Sequence, residues 1–241
     1  MCVEILCPIL LYFIIPNYIT NDKININSNY TLNKDGFEIY NIDIDDYDKD
    51  RKRLLNTFLQ FLPIGYTFLE YEYKIINSTL YTFHRDVTSS QSFQHLKYPS
   101  YTLIIYFTDG DLLSISPNSY KQKYLISKPV TINGLSGTCV LFNADNVHAG
   151  AITDTSKRIA VQYKICHKDD VYKLQHLNNQ YITKEDKIRK FTLMDKYLCR
   201  MSHKYISIFD SDLGTIIERK TSNKFINFIS KQLKVDFYNK T

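Results

Sequence analysis

The sequence predicts a mainly β fold with flanking helices, built as a barrel or sandwich within one domain. Three observations carry that expectation. Between Tyr66 and Cys166, short β-rich runs are separated by turn residues; apolar spacing of helical period is confined to the stretches on either side; and no internal repeat or low-complexity linker divides the 241 residues. A chain of this length can bury one substantial core. The expected organisation is a single domain over 1–241, with a β core at 66–166, an N-terminal strand and helix at 32–65, and a C-terminal helical extension at 167–241.

Taken in order, residues 17–35 are polar and Asn-rich, after which Phe37, Ile39, Ile42 and Ile44 begin a strand-like stretch. Asp45 to Asp50 then precede Leu54, Leu55, Phe58, Leu59 and Leu62, which are apolar at helical spacing with Pro63 just beyond; acids in the first turn and Pro after the last mark a helix. The strands expected in the core are Phe68–Ile76, Leu80–Phe83, Tyr101–Phe107, Leu112–Ser116, Thr138–Phe142 and Arg158–Ile165. Beyond Thr183 helical spacing returns, with one stripe at Ile188, Phe191, Met194, Leu198 and Met201 and another at Phe225, Phe228, Ile229 and Leu233.

A content of 44% hydrophobic and 23% charged residues excludes overall disorder. The chain has 20 Tyr and no Trp, with abundant Asn, Ile and Lys, which reads as the base composition of an AT-rich genome. The net charge of +5 falls under the same discount, since no dense basic block or basic–aromatic alternation marks a nucleic-acid site. Cys2, Cys7, Cys139, Cys166 and Cys199 are an odd, scattered set without CxxC spacing, which argues against a disulfide framework or structural zinc and for a reducing, cytoplasmic setting. The apolar run at Ile9–Ile15 is broken by flanking Pro8 and Pro16 and is too short to span a bilayer; a segment packed on the core is expected there ahead of a leader or anchor.

Chemistry concentrates in few residues. His84-Arg85-Asp86 follows the apolar run at Leu80–Phe83, and in an extended chain i and i+2 share a face, so His84 and Asp86 can reach one metal ion. On its own such a triplet also fits a strand ending in a polar turn. His148 opens an extended segment after the strand at Gly137–Phe142 and the turn at Asn143–Asn146. Two His and one carboxylate form the facial triad that leaves positions open on non-haem Fe(II). Arg158 follows the turn-like Thr153–Lys157 and starts an apolar strand, where a guanidinium entering a barrel calls for a bidentate anionic partner; the alternative is a surface Arg in a hairpin. His95, His167, His176 and His203 have no comparable setting and are expected mostly at the surface or in loops, with Cys139 and Cys166 as core thiols.

These motifs resemble the phytanoyl-CoA dioxygenase-like family of Fe(II)- and 2-oxoglutarate-dependent oxygenases, over about residues 32 to 166. Leu32-Asn33-Lys34-Asp35-Gly36-Phe37 is similar to that family's N-terminal motif. Thr108-Asp109 with Leu113 to Lys121 resembles its aspartate and following strand and turn, and Gly137 to Phe142 with His148 its distal strand and metal histidine. Asn118 and Tyr120 depart from the family's Gly and His, Thr138 from its Asp, and Gly150 stands where a hydroxyl often helps hold the cosubstrate. The resemblance implies a double-stranded β-helix (jelly-roll, cupin-like) core, with His84, Asp86 and His148 as the catalytic iron ligands. Arg158 pairs with the distal carboxylate of the cosubstrate 2-oxoglutarate, and a hydroxyl comes from Tyr106 or Thr102, for which simple core packing is the alternative. It also implies hydroxylation with succinate and CO2 as coproducts, and one net positive charge on the bound iron site for the anionic cosubstrate to balance.

A small-molecule substrate is expected, with nucleic-acid- or protein-modifying activity and a non-catalytic β-helix interaction module as the alternatives. Lys164 stands where a DNA-repair oxygenase would carry a second arginine, which argues against that branch. No transmembrane span is expected, and the helical stripes either pack on the barrel of a monomer or form a homodimer contact.

Overall fold

The computed structural model describes residues 22–122 and 126–206, apart from the side chain of Phe93. The apolar N-terminal run and the stripe at Phe225–Leu233 lie outside the described residues. Strand β2 (Phe37–Asn41) leads into helices α2 (Ile44–Lys49) and α3 (Arg51–Phe58), after the short helix α1 (Leu32–Asp35). The strand ends earlier than the Ile42 and Ile44 pattern suggests, because the Asp43 side chain accepts the Asp45 N–H and caps a helix there. Asp50 repeats the device for α3 by accepting from Arg53 N–H, so the expected single helix is two, joined at a non-helical Asp50.

The remaining strands are β1 (Lys23–Ile24), β3 (Tyr66–Phe68), β4 (Tyr71–Ile76), β5 (Tyr101–Tyr106), β6 (Gly110–Ile115), β7 (Val130–Gly134), β8 (Thr138–Asn143), β9 (His148–Gly150), β10 (Ile159–His167) and β11 (Gln180–Glu185). They form two sheets: a large one ordered β11-β4-β10-β5-β8-β2, with β3 also on β10, and a small one ordered β1-β7-β6-β9. The chain crosses from one sheet to the other after β1, β5, β7, β8 and β9, and the sections nearest the core pair antiparallel. Leu80–Phe83 is not a regular strand. It runs beside β9 as the outer edge of the small sheet, through a single antiparallel bridge between His84 and His148. Two facing sheets with this winding are a double-stranded β-helix.

The large sheet is buried on both faces, and period two sorts its side chains. Leu103, Ile105, Cys139, Leu141, Val161, Tyr163 and Ile165 face outward under α2 and α3, packing with Tyr47, Phe58 and Leu62. Ile104, Tyr106, Val140, Phe142 and Ala160 face inward against Leu113, Ile115 and Ile132 of the small sheet. Cys139 and Cys166 are core thiols as expected, and Cys199 joins them.

Among the described C-terminal residues, 167–206, helix is less extensive than the pattern suggests. Residues 168–177 form tight 3-10 turns, β11 adds a strand parallel to β4, and Leu193–Lys204 forms the one long helix described there, α4, opened by a capping box between Thr192 and Asp195. Ile188 and Phe191 precede it. Helix α4 packs against the His84 segment: Ser202 Oγ accepts the Phe83 N–H at 2.7 Å, and His203 Nε2 lies 2.9 Å from Ser116 Oγ, its ring edge-on to Phe83. His203 is therefore a buried packing residue, 2% exposed, rather than a surface histidine. A helix face alone does not say which of its polar residues the barrel will cover. Among the described residues no helix is long and apolar enough to cross a membrane.

Burial pushes the His203 pKa down from 6.5 to about 4, opposed by a hydrogen bond with the Ser127 backbone. The unfolded chain thus takes up this proton below about pH 6.5 and the folded chain only below about 4, so His203 contributes stability that is full above the upper value and is lost as pH falls between the two. Urea unfolding followed from pH 6.5 down to 4 should show a loss of up to about 1.4 kcal/mol per pH unit from this group. His203→Gln should remove that slope.

Candidate metal and cosubstrate site

A cavity of about 610 Å³ opens between the large sheet, the segment from Asn77 to Val87 and the C-terminal residues 184–198. The extended backbone at 84–86 is held on both sides, by paired hydrogen bonds between His84 and His148 and by the Asp86 N–H donating to Ala144 O at 2.9 Å. His84 and Asp86 consequently face the cavity, while Arg85 points the opposite way, donating through Nε to Asp145 O at 2.8 Å and through Nη2 to Gln122 O at 2.6 Å. His148, on β9, lies beside His84 with ring centroids 4.5 Å apart.

Each imidazole sets its Nδ1 against a backbone carbonyl, His84 on Thr82 O at 2.8 Å and His148 on Asn146 O at 2.9 Å. A neutral ring hydrogen-bonded in this way carries its proton on Nδ1 and keeps the Nε2 lone pair. Burial first, and the neighbouring His84 second, push the His148 pKa down to about 3, so this ring is neutral at physiological pH.

Asp86 shares the cavity but is turned aside. Its Oδ2 accepts from Thr102 Oγ1 at 2.8 Å, from Gln162 Nε2 at 3.0 Å and from the ion-paired ammonium of Lys164. Its Oδ1 receives only the Thr88 N–H, at 3.4 Å, among the described residues. Burial alone would raise the Asp86 pKa, and the Lys164 charge, the His148 ring and the hydrogen bonds from Lys164 and Thr102 together more than reverse that, holding the carboxyl below its ordinary range. Burial lowers the pKa of Lys164, with Asp86 opposing. As the side chains stand, no three His, Cys, Asp or Glu among the described residues are grouped to hold a metal ion. The sequence-derived triad is thus two histidines brought together and a carboxylate beside them with one oxygen committed to a lysine.

Arg158 is buried, 7% exposed, and lines the same cavity. Its Nη2 donates to Ala151 O at 2.9 Å and reaches Asp111 O at 3.4 Å, and no carboxylate pairs with it among the described residues. A hairpin surface Arg is excluded. Tyr106 lines the cavity nearby; burial raises its pKa to about 12, partly offset by the Arg158 charge. Thr102 shares the inner face of β5 with Tyr106 but does not reach the cavity, because its hydroxyl is spent on Asp86.

Gly150 acquires a reason. A Cβ there would lie 2.5 Å from Arg158 Nη1 and 2.6 Å from Thr79 Cγ2, so the absence of a side chain makes room for the guanidinium. Asn118 adopts φ 59°, a left-handed conformation that Asn tolerates better than most residues.

Two contributors escaped sequence reasoning. Gln162 and Lys164 continue the inner row of β10 begun by Arg158 and Ala160, and the register sets Lys164 opposite Thr102, Gln162 opposite Ile104 and Ala160 opposite Tyr106. The signal was present as a polar alternation within an apolar strand. The second is the outer wall, where Lys184, Lys187, Met194 and Leu198 join Arg189, which is paired with Asp195 at 2.8 Å. Nothing in their spacing marks them.

The fold and cavity define a double-stranded β-helix protein with a polar pocket at one end of the barrel. No protein-family model matches the sequence, and no curated protein matches it. Among solved structures the chain is similar to HygX from Streptomyces hygroscopicus with nickel and 2-oxoglutarate bound, at 12% identity over 56% of this chain and 83% of that one, TM-score 0.40. It is also similar to the non-heme alpha ketoglutarate dependent epimerase SnoN from nogalamycin biosynthesis, at 12% identity over 56% of this chain and 80% of that one, TM-score 0.43. A third is the iron and alpha-ketoglutarate-dependent endoperoxidase NvfI, at 9% identity over 57% and 79% of the two chains, TM-score 0.39.

Gly150→Ala should force Arg158 and Thr79 apart and destabilise the protein by about 1–3 kcal/mol, read from urea unfolding. An unchanged midpoint would show that the guanidinium does not depend on this gap.

Proposed function

We propose that this chain is an Fe(II)- and 2-oxoglutarate-dependent oxygenase that hydroxylates a small molecule, with succinate and CO2 as coproducts. The observation that carries the reading is a buried arginine with no carboxylate partner among the described residues, opening into the same cavity as a pair of histidines and a carboxylate. A buried cation in such a place calls for an anionic ligand.

The donor chemistry fits ferrous iron. Nε2 of His84, Nε2 of His148 and the Oδ1 side of Asp86 would hold it, as two neutral nitrogens and one carboxylate oxygen, which leaves positions for other ligands. Bound iron together with 2-oxoglutarate supplies O2-dependent oxidation of a C–H bond. The protein's own residues do the rest. Arg158 receives the distal carboxylate of the cosubstrate, Tyr106 flanks it with a hydroxyl held neutral by burial, and Thr102 and Gln162 fix the Asp86 carboxylate from behind. Leu113, Ile104 and Ala160 line the apolar floor and keep water from the site. The outer wall at 184–198 is where a substrate would be selected.

A second reading has one observation in its favour. The ion pair of Asp86 with Lys164 also suits a non-catalytic module that binds an anion at Arg158 without metal.

Anaerobic addition of Fe(II) and 2-oxoglutarate to purified protein should produce a weak metal-to-ligand charge-transfer absorption. His148→Ala should abolish it, whereas Arg158→Ala should keep metal binding and weaken 2-oxoglutarate by about 10- to 100-fold, the loss of a hydrogen-bonded charge pair. Well-folded protein that gives no absorption and retains no metal, yet binds a dicarboxylate, supports the second reading instead.

A further inference from the structure

Lys164 is 0% exposed and does not line the cavity. Its ammonium sits behind Asp86, ion-paired to Oδ2, 3.3 Å from Thr102 Oγ1 and 5.8 Å from the centre of the Tyr71 ring. A buried ion pair is weak evidence for stability, since apolar side chains of the same volume do as well or better. Its position instead bears on what the cavity can hold.

Two consequences follow from the contacts of Asp86. One oxygen is saturated by Thr102, Gln162 and Lys164 while the other carries a single long contact from Thr88, so the carboxylate presents one oxygen to the cavity. The second concerns charge. Asp86 and Lys164 together sum to zero, so with neutral imidazoles a divalent ion raises the net charge of the site to two positive, where a carboxylate without the lysine would leave one. Arg158, also buried and without a carboxylate partner among the described residues, adds another positive charge to the same cavity. Accumulated positive charge away from water is costly, and a dianion relieves it.

We propose that Lys164 is a positioning residue that makes metal binding depend on the cosubstrate: by holding Asp86 Oδ2 it sets which oxygen faces the cavity, and by cancelling the carboxylate's charge it prevents a divalent ion from staying without a dianionic partner. This rests on the oxygenase reading above. In a site so arranged the metal ion and 2-oxoglutarate are taken up together, and the metal alone is held weakly.

The test measures Mn(II) binding from the electron paramagnetic resonance signal of the free aqua ion, with and without 2-oxoglutarate, in wild-type protein, Lys164→Met and Lys164→Arg. In the wild type 2-oxoglutarate should tighten Mn(II) by about 100-fold, at the upper end of ordinary coupling between two sites. Lys164→Met should bind Mn(II) alone about tenfold or more tighter than the wild type, since a divalent ion now meets an uncompensated buried carboxylate, and the tightening by 2-oxoglutarate should shrink by the same factor. Lys164→Arg, which keeps the charge, should restore the wild-type ratio. A merely structural lysine predicts the opposite sign, with Mn(II) weakened equally in both conditions on its loss. If Lys164→Met does not fold, Lys164→Gln keeps a donor to Asp86 without the charge and decides the matter in the same way. A ratio that survives Lys164→Met or Lys164→Gln overturns the inference and leaves the oxygenase reading standing. Wild-type protein that binds neither Mn(II) nor 2-oxoglutarate, apart or together, overturns both.

Discussion

The Asp86 carboxylate ties the barrel together at the end where its chemistry lies. It sits on the segment beyond His84, at the edge of the small sheet, yet its partners come from the large one: Thr102 from β5, and Gln162 and Lys164 from β10. An unpaired carboxylate at this depth would cost several kcal/mol, so the segment can close only where those donors meet it. The position of His84 two residues earlier follows from that closure and from its paired backbone hydrogen bonds with His148. The neighbours of the metal-binding candidates are therefore set by an ion pair that sequence spacing does not display.

Burial on both faces of the large sheet makes this arrangement affordable in structural terms. Helices α2 and α3 cover the outer face, where Tyr47 and Tyr163 hydroxyls meet at 2.6 Å at the edge of an apolar layer, beside the Arg51–Glu72 pair. On the inner face Val140 and Phe142 of β8 pack against the small sheet, while Ile104, Tyr106, Ala160, Gln162 and the adjoining Arg158 line the cavity. With the sheet clamped between two cores, polar residues in its inner row hold fixed positions without being the source of its stability.

Much of the fold could be read from the chain because most strands obey period two with turns between them. What could not be read had local reasons. β7 is five residues long and ends in Asn133-Gly134, β11 ends in three consecutive polar residues, and they are held by pairing with β6 and β1 and with β4 respectively. The stripe from Ile188 to Met201 has helical spacing, but Ser156 and Arg189 exchange backbone and side-chain hydrogen bonds that keep residues before Thr192 extended. In the candidate site, His84, Asp86, His148 and Arg158 were legible from their order on strands, and the structure brings all four to one cavity. The partner of Asp86 was not, since a lysine in a lysine-rich chain carries no signal until the register of β10 against β5 sets it opposite Thr102.

That register also divides the labour between parts of the chain. Residues on β5 and β10 at the floor of the cavity meet each other through sheet pairing, and β9 is held likewise by β6 in the facing sheet, so their spacing cannot change without slipping a strand and reversing every face. The outer wall is attached differently. Residues 184–198 reach the barrel through β11 on β4, the Thr155–Lys190 bridge and the contact of α4 with Phe83 and Ser116, and their cavity-facing side chains mix Lys184, Lys187 and the Arg189–Asp195 pair with Met194 and Leu198. Substitutions in this wall leave the sheet register untouched. The constraint of register therefore falls on the floor, while side chains of the wall can change without slipping a strand.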